Sequence, residues 1–357
     1  MYQYQHGGDI YSESNQTSGK KIVDFSANIN PLGLPQGIRK AIIDSLDSCI
    51  NYPDAFCRRL RAATADFLEV SPEYLFFGNG AADVLFRLVL AVRPRTALLL
   101  APTFADYEKA LHTVNCQVDY YKLSHENFMI AENILDQIQP GLEMVVICNP
   151  NNPTGKICAE GLLLQILQRC RECGTLLLID ECFMDFVPED QGYSFRKYLQ
   201  AYSNLVILKA FTKTFAIPGV RLGYCLTSNA AVLEGLHEMG QDWNVSIMAQ
   251  EAGIAAVKET EYLKQSLAYV QKERIYLLDN LKKLPGITTY DSLANYIFFR
   301  VDPEPADFAA KLKAEGLLIR SCANYRNLDA GYYRIAVKKH EENETLIATL
   351  KLIMNNE

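Results

Sequence analysis

The sequence predicts an α/β protein in which a large unit with a mostly parallel central sheet is followed by a small α+β unit. Three observations predict it. Short apolar runs at 75–77, 97–101, 144–148, 176–179, 206–209 and 223–226 are continuous rather than alternating, as in strands covered on both faces. Segments of helical periodicity separate them, which is the signature of a layered α/β unit. After a charged helical stretch at about 246–283, β-like runs return at 295–301, 316–320 and 332–337, with helical segments at 305–315 and 341–354. The expected limits are an N-terminal arm at 1–35, a large domain at 36–283 that includes the interdomain helix, and a small domain at 284–357.

Composition narrows the function classes. At 357 residues and 49% hydrophobic, the chain can bury a large core and exceeds the usual single-domain size. A net charge of -7 argues against a general nucleic-acid or membrane-surface binder. No run of 18 apolar residues is present, so no membrane span is expected. The N-terminus lacks the basic and apolar regions of a signal peptide. Ten cysteines, scattered through apolar runs, read as reduced thiols of a cytoplasmic protein rather than a disulfide framework. Cys170 and Cys173 form a single C-x-x-C without a second pair. That spacing inside a helical run reports a helix face, and no metal site is expected.

Taken in order, the chain opens with a polar arm carrying His6-Gly7-Gly8 and Ser26-Ala27-Asn28-Ile29-Asn30-Pro31. It is either an ordered arm or a loose terminus. Helical patterns at 36–48 and 56–69 flank a turn, Asn51-Tyr52-Pro53-Asp54. The strand at 75–77 runs into Gly78-Asn79-Gly80-Ala81-Ala82-Asp83 and a helix. A glycine turn opening a helix offers unpaired N–H groups and the positive end of the dipole, an anion site. A dinucleotide fingerprint would need a third glycine where Asp83 stands, and a turn without ligand is the alternative. Further strands end in Pro102-Thr103-Phe104-Ala105-Asp106-Tyr107, in Asn149-Pro150-Asn151-Asn152-Pro153-Thr154-Gly155 and in Asp180-Glu181. Polar residues thus gather past the strand ends, where open α/β sheets bind ligands.

The stretch at 207–224, ILKAFTKTFAIPGVRLGY, carries Lys213 in a polar turn. It is either a surface lysine or a Schiff-base lysine, whose amine becomes nucleophilic when desolvated near other cations. The other strand ends favour the second reading. Pyridoxal phosphate needs a lysine for its aldehyde, an acid for its pyridine nitrogen, a stacking ring, and helix-end amides with an arginine for its phosphate. Lys213, Asp180, Phe104, the turn from Gly80 to Ala82, and Arg221 supply these in turn, and Asn152 suits the ring oxygen.

The chain resembles fold-type I pyridoxal-phosphate enzymes of the histidinol-phosphate aminotransferase branch, through NPNNPTG, Asp180-Glu181, and Lys213 with Arg221. Within that branch it is most similar to the L-threonine-O-3-phosphate decarboxylases of cobalamin synthesis. That closer likeness rests on HGG, DFSANINPLG, AIPGVRLGY and IRSCANY. The resemblance implies the fold-type I transferase fold and pyridoxal 5'-phosphate attached to Lys213, with Asp180 at the ring nitrogen, Asn152 at the ring oxygen and Phe104 on the ring. It assigns the cofactor phosphate to Gly80, Ala81, Ala82, Thr212 and Arg221, and to Tyr52 from the neighbouring subunit of a homodimer. It assigns the substrate carboxylate to Arg334 and the substrate phosphate to Arg320, with His6, Gly7 and Asn30 in support.

Two positions depart from the transaminase pattern. Phe183 stands where those enzymes carry a tyrosine that bonds the ring oxygen, and Ala210 stands where a hydroxyl residue is common. The first favours a decarboxylase acting on a phospho-amino acid. Histidinol-phosphate amino transfer and L-serine O-phosphate decarboxylation are the alternatives. A cofactor-binding transcription regulator is a third class, for which the sequence leaves no room to hold a helix-turn-helix domain.

Overall fold

The computed structural model describes residues 6–13, 21–188 and 193–355. A two-residue strand β1 (Val23–Asp24) precedes the large sheet, whose strands are β2 (Leu75–Gly78), β3 (Thr96–Ala101), β4 (Gln117–Lys122), β5 (Met144–Cys148), β6 (Leu176–Asp180), β7 (Leu205–Ala210) and β8 (Gly223–Leu226). Their spatial order is β2-β8-β7-β6-β5-β3-β4. Pairing is parallel from β7 through β4, and β8 runs antiparallel to both β7 and β2. The reversal has a local cause. Parallel neighbours need a crossover of a dozen or more residues, usually built around a helix. The β7–β8 connection holds only a one-turn helix, Phe211–Thr214, and a 3₁₀ turn, Pro218–Val220, and Phe211 N–H closes back on Leu222 O at 3.2 Å.

The apolar runs form strands because each buries both faces. All five residues of β5 and all six of β7 are buried. Helices such as Ala81–Val92 and Glu160–Cys173 cover the sheet. The second of these ends at Gly174 with φ +72°, a left-handed cap that returns Thr175 N–H to Cys170 O at 2.8 Å, as C-terminal caps do. Cys170 is buried and Cys173 half-buried on this helix, so the C-x-x-C is a helix face. All ten cysteines are free thiols. Among the described residues no cluster of His, Cys, Asp and Glu is arranged to hold a metal, and no helix is long and apolar enough to cross a membrane.

The C-terminal sheet is formed by β9 (Ile287–Tyr290), β10 (Tyr296–Val301), β12 (Arg320–Ser321) and β13 (Tyr332–Ala336), in the order β12-β13-β10-β9, all antiparallel. The short strand β11 (Leu317–Leu318) pairs in parallel with β1. The N-terminal segment is therefore stitched to the C-terminal unit. Ala336 N–H donates to Phe25 O at 2.8 Å, and Phe25 is fully buried.

The periodicity reading missed β4 and β9. Both are edge strands with solvent on one side, and their mixed burial gives no continuous apolar run. The stretch at 246–283 is two helices, Ile247–Ala256 and Thr260–Leu281. The pattern at 36–48 resolves into Gln36–Asp44 and a 3₁₀ turn at Leu46–Ile50.

The last helix, His340–Asn355, is anchored by charge. His340 Nδ1 lies 3.0 Å from Oε2 of Glu273, a buried residue of the Thr260–Leu281 helix that also accepts from Asn343 Nδ2 at 2.9 Å. The hydrogen bond that the imidazole donates to Glu273 raises it above its usual value, with Glu344 adding to it and Lys272 opposing. The folded state therefore holds the proton more tightly than the unfolded chain. Its stabilisation is full below the unfolded histidine value, near pH ~6.5, and is lost as pH rises through the folded value. Thermal unfolding of His340→Gln against the parent should show a Tm gap near pH ~6 that closes by pH ~9. A gap independent of pH would refute the charge link.

Candidate active site

A cavity of about 290 Å³ opens at the C-terminal ends of β5, β6 and β7. Strand alternation decides which side chains enter it. Leu208 and Ala210 of β7 and Asp180 of β6 line the cavity, whereas Lys209 bonds to Asp185, which is not among the lining residues. Beyond Ala210 the one-turn helix presents Lys213 to the cavity. The turn is held from both sides. Asn30 N–H donates to Lys213 O at 3.2 Å and Asn30 Nδ2 to Thr214 O at 2.7 Å, while Thr214 Oγ1 donates to Asp185 Oδ2 at 2.9 Å. Burial, with the cations Arg334 and Arg221, lowers the Lys213 ammonium to about 8. Such an amine is partly deprotonated near neutrality and is a competent nucleophile.

Asp180 is buried at the end of β6 and accepts from Tyr107 Oη at 2.5 Å and from Cys182 N–H at 2.9 Å. Burial pushes its carboxyl up. A carboxylate in that setting is stabilised by a cation facing it, as a protonated pyridine nitrogen would be. Phe104 lies beside it, its ring edge-on to Tyr107 with centroids 5.7 Å apart.

The anion cradle is built by close approach. Gly80 has φ +90°, and a Cβ there would fall 2.3 Å from Arg221 Nη2; a Cβ on Gly223 would fall 2.2 Å from the Ala81 nitrogen. Both glycines thus let Arg221 and the start of the Ala81–Val92 helix converge. Arg221 adopts the left-handed conformation at φ +60° and is braced by Pro218 O at 3.1 Å. Ala81, Ala82, Thr212 and Arg221 all line the cavity. Helix-end amides beside a guanidinium suit a phosphate.

The opposite wall comes from the C-terminal sheet. Arg320 and Arg334 are direct cross-strand partners on β12 and β13, so both point to one face, and both line the cavity. Arg334 is buried. It donates to Asn152 Oδ1 at 2.5 Å and to Ser26 O at 2.6 Å, while its Nε has no partner among the described residues. An unmet buried donor costs about 1–3 kcal/mol, which an anionic ligand would offset. Arg320 bonds Ser321 O at 2.6 Å and Asn324 Oδ1 at 2.8 Å. His6 and Gly7 also line the cavity, with His6 Nε2 3.0 Å from Asp106 Oδ1. The set of donors fits pyridoxal phosphate with a second anionic molecule beside it.

Three expected residues do not line the cavity: Gly80, whose missing Cβ instead lets Arg221 approach, Asn30 and Tyr52. Asn30 does not line the cavity, because its amide is committed to Thr214 O and to Ser266 Oγ at 2.6 Å. Asn28 lines it instead, buried and with Oδ1 unpartnered among the described residues. The two are adjacent in the same face alternation, and spacing alone did not separate them. Tyr52 is 77% exposed, stacks on Trp243 at 4.4 Å and stays outside this cavity. Phe183 lines the cavity and packs edge-on to Tyr296 at 5.0 Å. Tyr296 Oη is bonded to Asn151 O at 2.9 Å, so this hydroxyl does not replace the one Phe183 lacks. The sequence reading also missed Tyr107 and Tyr325, both cavity-lining. Tyr107 was legible only as a polar residue one helical turn beyond Phe104.

The chain matches the model of the class I and II aminotransferase family over residues 20–350. It is 34% identical to the threonine-phosphate decarboxylase of Salmonella typhimurium over 99% of this chain and 98% of that protein. The histidinol-phosphate aminotransferase structure from Clostridium acetobutylicum superposes with a TM-score of 0.86 at 29% identity, covering 93% of this chain and 99% of that one. The L-threonine-O-3-phosphate decarboxylase structure from Porphyromonas gingivalis has a TM-score of 0.83 at 22% identity, over 94% and 100% of the two chains, and shares the fold. On sequence and architecture together, the chain belongs to the class I and II aminotransferase family, whose cofactor is pyridoxal 5'-phosphate.

Proposed function

We propose that the protein releases CO₂ from L-threonine O-3-phosphate and leaves (R)-1-aminopropan-2-yl phosphate, the linker of the cobamide nucleotide loop. The observation that carries this reading is the Arg320–Arg334 pair, two guanidinium forks side by side across β12 and β13 above Lys213. A substrate with a carboxylate at one end and a phosphate at the other matches two forks. The likeness to the Salmonella typhimurium enzyme supports the same reading.

When bound, pyridoxal phosphate supplies an aldehyde for the substrate amine and a ring that accepts the electron pair of the broken bond. The chain's residues do the rest. Lys213 holds the cofactor, and in its ammonium form it, or a nearby water, returns a proton to Cα. Asp180, oriented by Tyr107, keeps the ring nitrogen protonated. Ala81, Ala82, Thr212 and Arg221 grip the cofactor phosphate, Phe104 stacks on the ring, and Asn152 bonds its oxygen. Arg334, braced by Asn152 and Ser26, takes the carboxylate; Arg320, with His6, Gly7 and Asn28, takes the phosphate. With carboxylate and phosphate both held, Arg334 and Arg320 would orient the substrate so that its carboxylate is the group released. Phe183 leaves the ring oxygen without the hydroxyl that transaminases use. Exposed Ile43, Leu46, Ile50, Tyr52, Phe56 and Trp243 suit a homodimer in which Tyr52 reaches the neighbouring site. Ten free thiols suit a cytoplasmic setting.

CO₂ release should occur from L-threonine O-phosphate with pyridoxal phosphate and no keto acid. The preference over L-serine O-phosphate reads out one methyl, roughly 1–3 kcal/mol. Absence of release from both, with amino transfer from histidinol phosphate to 2-oxoglutarate, would replace this reading by the aminotransferase one.

Lys213→Ala should abolish turnover. Asp180→Ala should lower kcat by about three decades, or ~4 kcal/mol, with the cofactor still bound. A near-normal rate in either variant would reassign that residue. Cofactor capture by stripped protein gives a pH test. The neutral amine is the reactive form, so the capture rate, followed by visible absorbance, should rise with pH and level off above about 8. A rate still climbing about tenfold per pH unit beyond pH ~9, as for an ordinary lysine near ~10.4, would contradict the lowered amine value.

A further inference from the structure

One short helix of the large unit, Asp106–His112, enters the cavity wall with its first turn and reaches beyond it beside the substrate-phosphate end assigned above. Its first residue, Asp106, holds His6 at 3.0 Å. One residue further along the same turn from Tyr107, Glu108 takes Arg326 in a two-pronged grip. Arg326 Nε donates to Oε2 at 3.0 Å, and Nη2 donates to Oε1. The guanidinium also lies 4.5 Å over the Tyr120 ring of β4. The next residue, Asn327, donates through Nδ2 to Ala101 O at 3.1 Å and Leu123 O at 2.9 Å, and its carbonyl faces His125 Nε2 at 2.7 Å. The loop after β12 is thus docked on the ends of β3 and β4. That loop carries Asn324, which braces Arg320 Nη2, and Tyr325, whose ring lies 5.4 Å from the Arg320 guanidinium.

We propose that Glu108 and Arg326 are positioning residues that set how tightly Arg320 grips a phosphate. Neither lines the catalytic cavity. They act by fixing the loop that aims Arg320, so their effect falls on binding at the phosphate end and spares the chemistry at Cα. The inference rests on the phospho-amino-acid reading. The pair is partly exposed, with side-chain exposures of 56% for Arg326 and 21% for Glu108, and exposed pairs contribute modestly. The expected effect is therefore a change of about 1.4- to fivefold, the range such a pair spans.

The test uses the holoenzyme with Arg326→Gln, Glu108→Gln, the double variant and Arg326→Lys. Two readouts are taken: KM and kcat for L-threonine O-phosphate, and the Kd of inorganic phosphate by calorimetry. Each single Gln variant should raise KM and the phosphate Kd by the same factor at unchanged kcat and unchanged cofactor absorbance. The double variant should be no worse than either single, as for two groups acting through one contact, and Arg326→Lys should recover part of the loss. Unchanged KM and Kd, a fall in kcat alone, or loss of cofactor would overturn the proposal. So would a parent holoenzyme that binds no inorganic phosphate. A parent that binds phosphate but releases no CO₂ would sink the decarboxylase reading alone, and the phosphate Kd of the variants would still decide the role of Arg326.

Discussion

Arg334 is the side chain on which the rest of the site depends, because it joins three separate parts of the chain. It rises from β13 in the C-terminal sheet, bonds Asn152 on the loop after β5, and bonds the carbonyl of Ser26 in the N-terminal segment. A buried guanidinium is costly unless its donors are met, and here Nη1 and Nη2 are met by Asn152 and Ser26. Those two acceptors therefore fix where the N-terminal segment and the small sheet sit against the large one. The same charge helps to lower the Lys213 ammonium. One residue thus couples the assembly of the cavity to the reactivity of the nucleophile inside it.

Behind the cavity a second set of charges supports the front. Glu181 follows Asp180, and Lys209 precedes Ala210, so strand alternation sends them to the opposite face. Lys209 pairs with Asp185 at 2.7 Å, and Glu181 accepts from Phe195 N–H at 2.8 Å and Ser194 Oγ at 2.7 Å. Burial raises the Glu181 carboxyl, and the neighbouring acids keep Lys209 protonated. Asp185 reaches from this back cluster to Thr214, beside Lys213. The reactive lysine is therefore held through backbone and hydroxyl contacts, and among the described residues no carboxylate pairs directly with its amine, although Asp24 opposes the lowering.

Much of the fold was legible because buried strands leave continuous apolar runs. The six main strands of the large sheet, and the change of pattern beyond 283, follow from that rule. Edge strands β4 and β9 were not legible, since one face of each meets water and the run is broken. The reversal of β8 was legible only in the shortness of its connection. In the site, Lys213, Asp180, Asn152 and Arg221 could be read because each follows a strand end within a local motif. Asn28 against Asn30 could not. Both are polar and two apart in one segment, and only the distant acceptors Thr214 and Ser266 decide which of them turns from the cavity. Tyr107 and the Arg326–Glu108 contact, which joins residues 218 apart, are tertiary facts of the same kind.

The charge balance of the cavity then bears on what enters it. The chain as a whole is negative, at -7. Yet among the described residues the cavity wall gathers Lys213, Arg221, Arg320 and Arg334 against only Asp106 and Asp180. Low-dielectric walls concentrate such a local excess, so the cavity attracts anions that the outer surface repels. Asp180 and Lys213 are each pushed toward their neutral forms, the acid upward and the amine downward. Burial works against both charges in the same way. A cofactor with a ring cation opposite Asp180 and a phosphate at Arg221 relieves the first strain. Beyond Arg221, Arg320 and Arg334 also face the cavity, and two guanidinium forks on one wall suit a second molecule carrying two anionic groups.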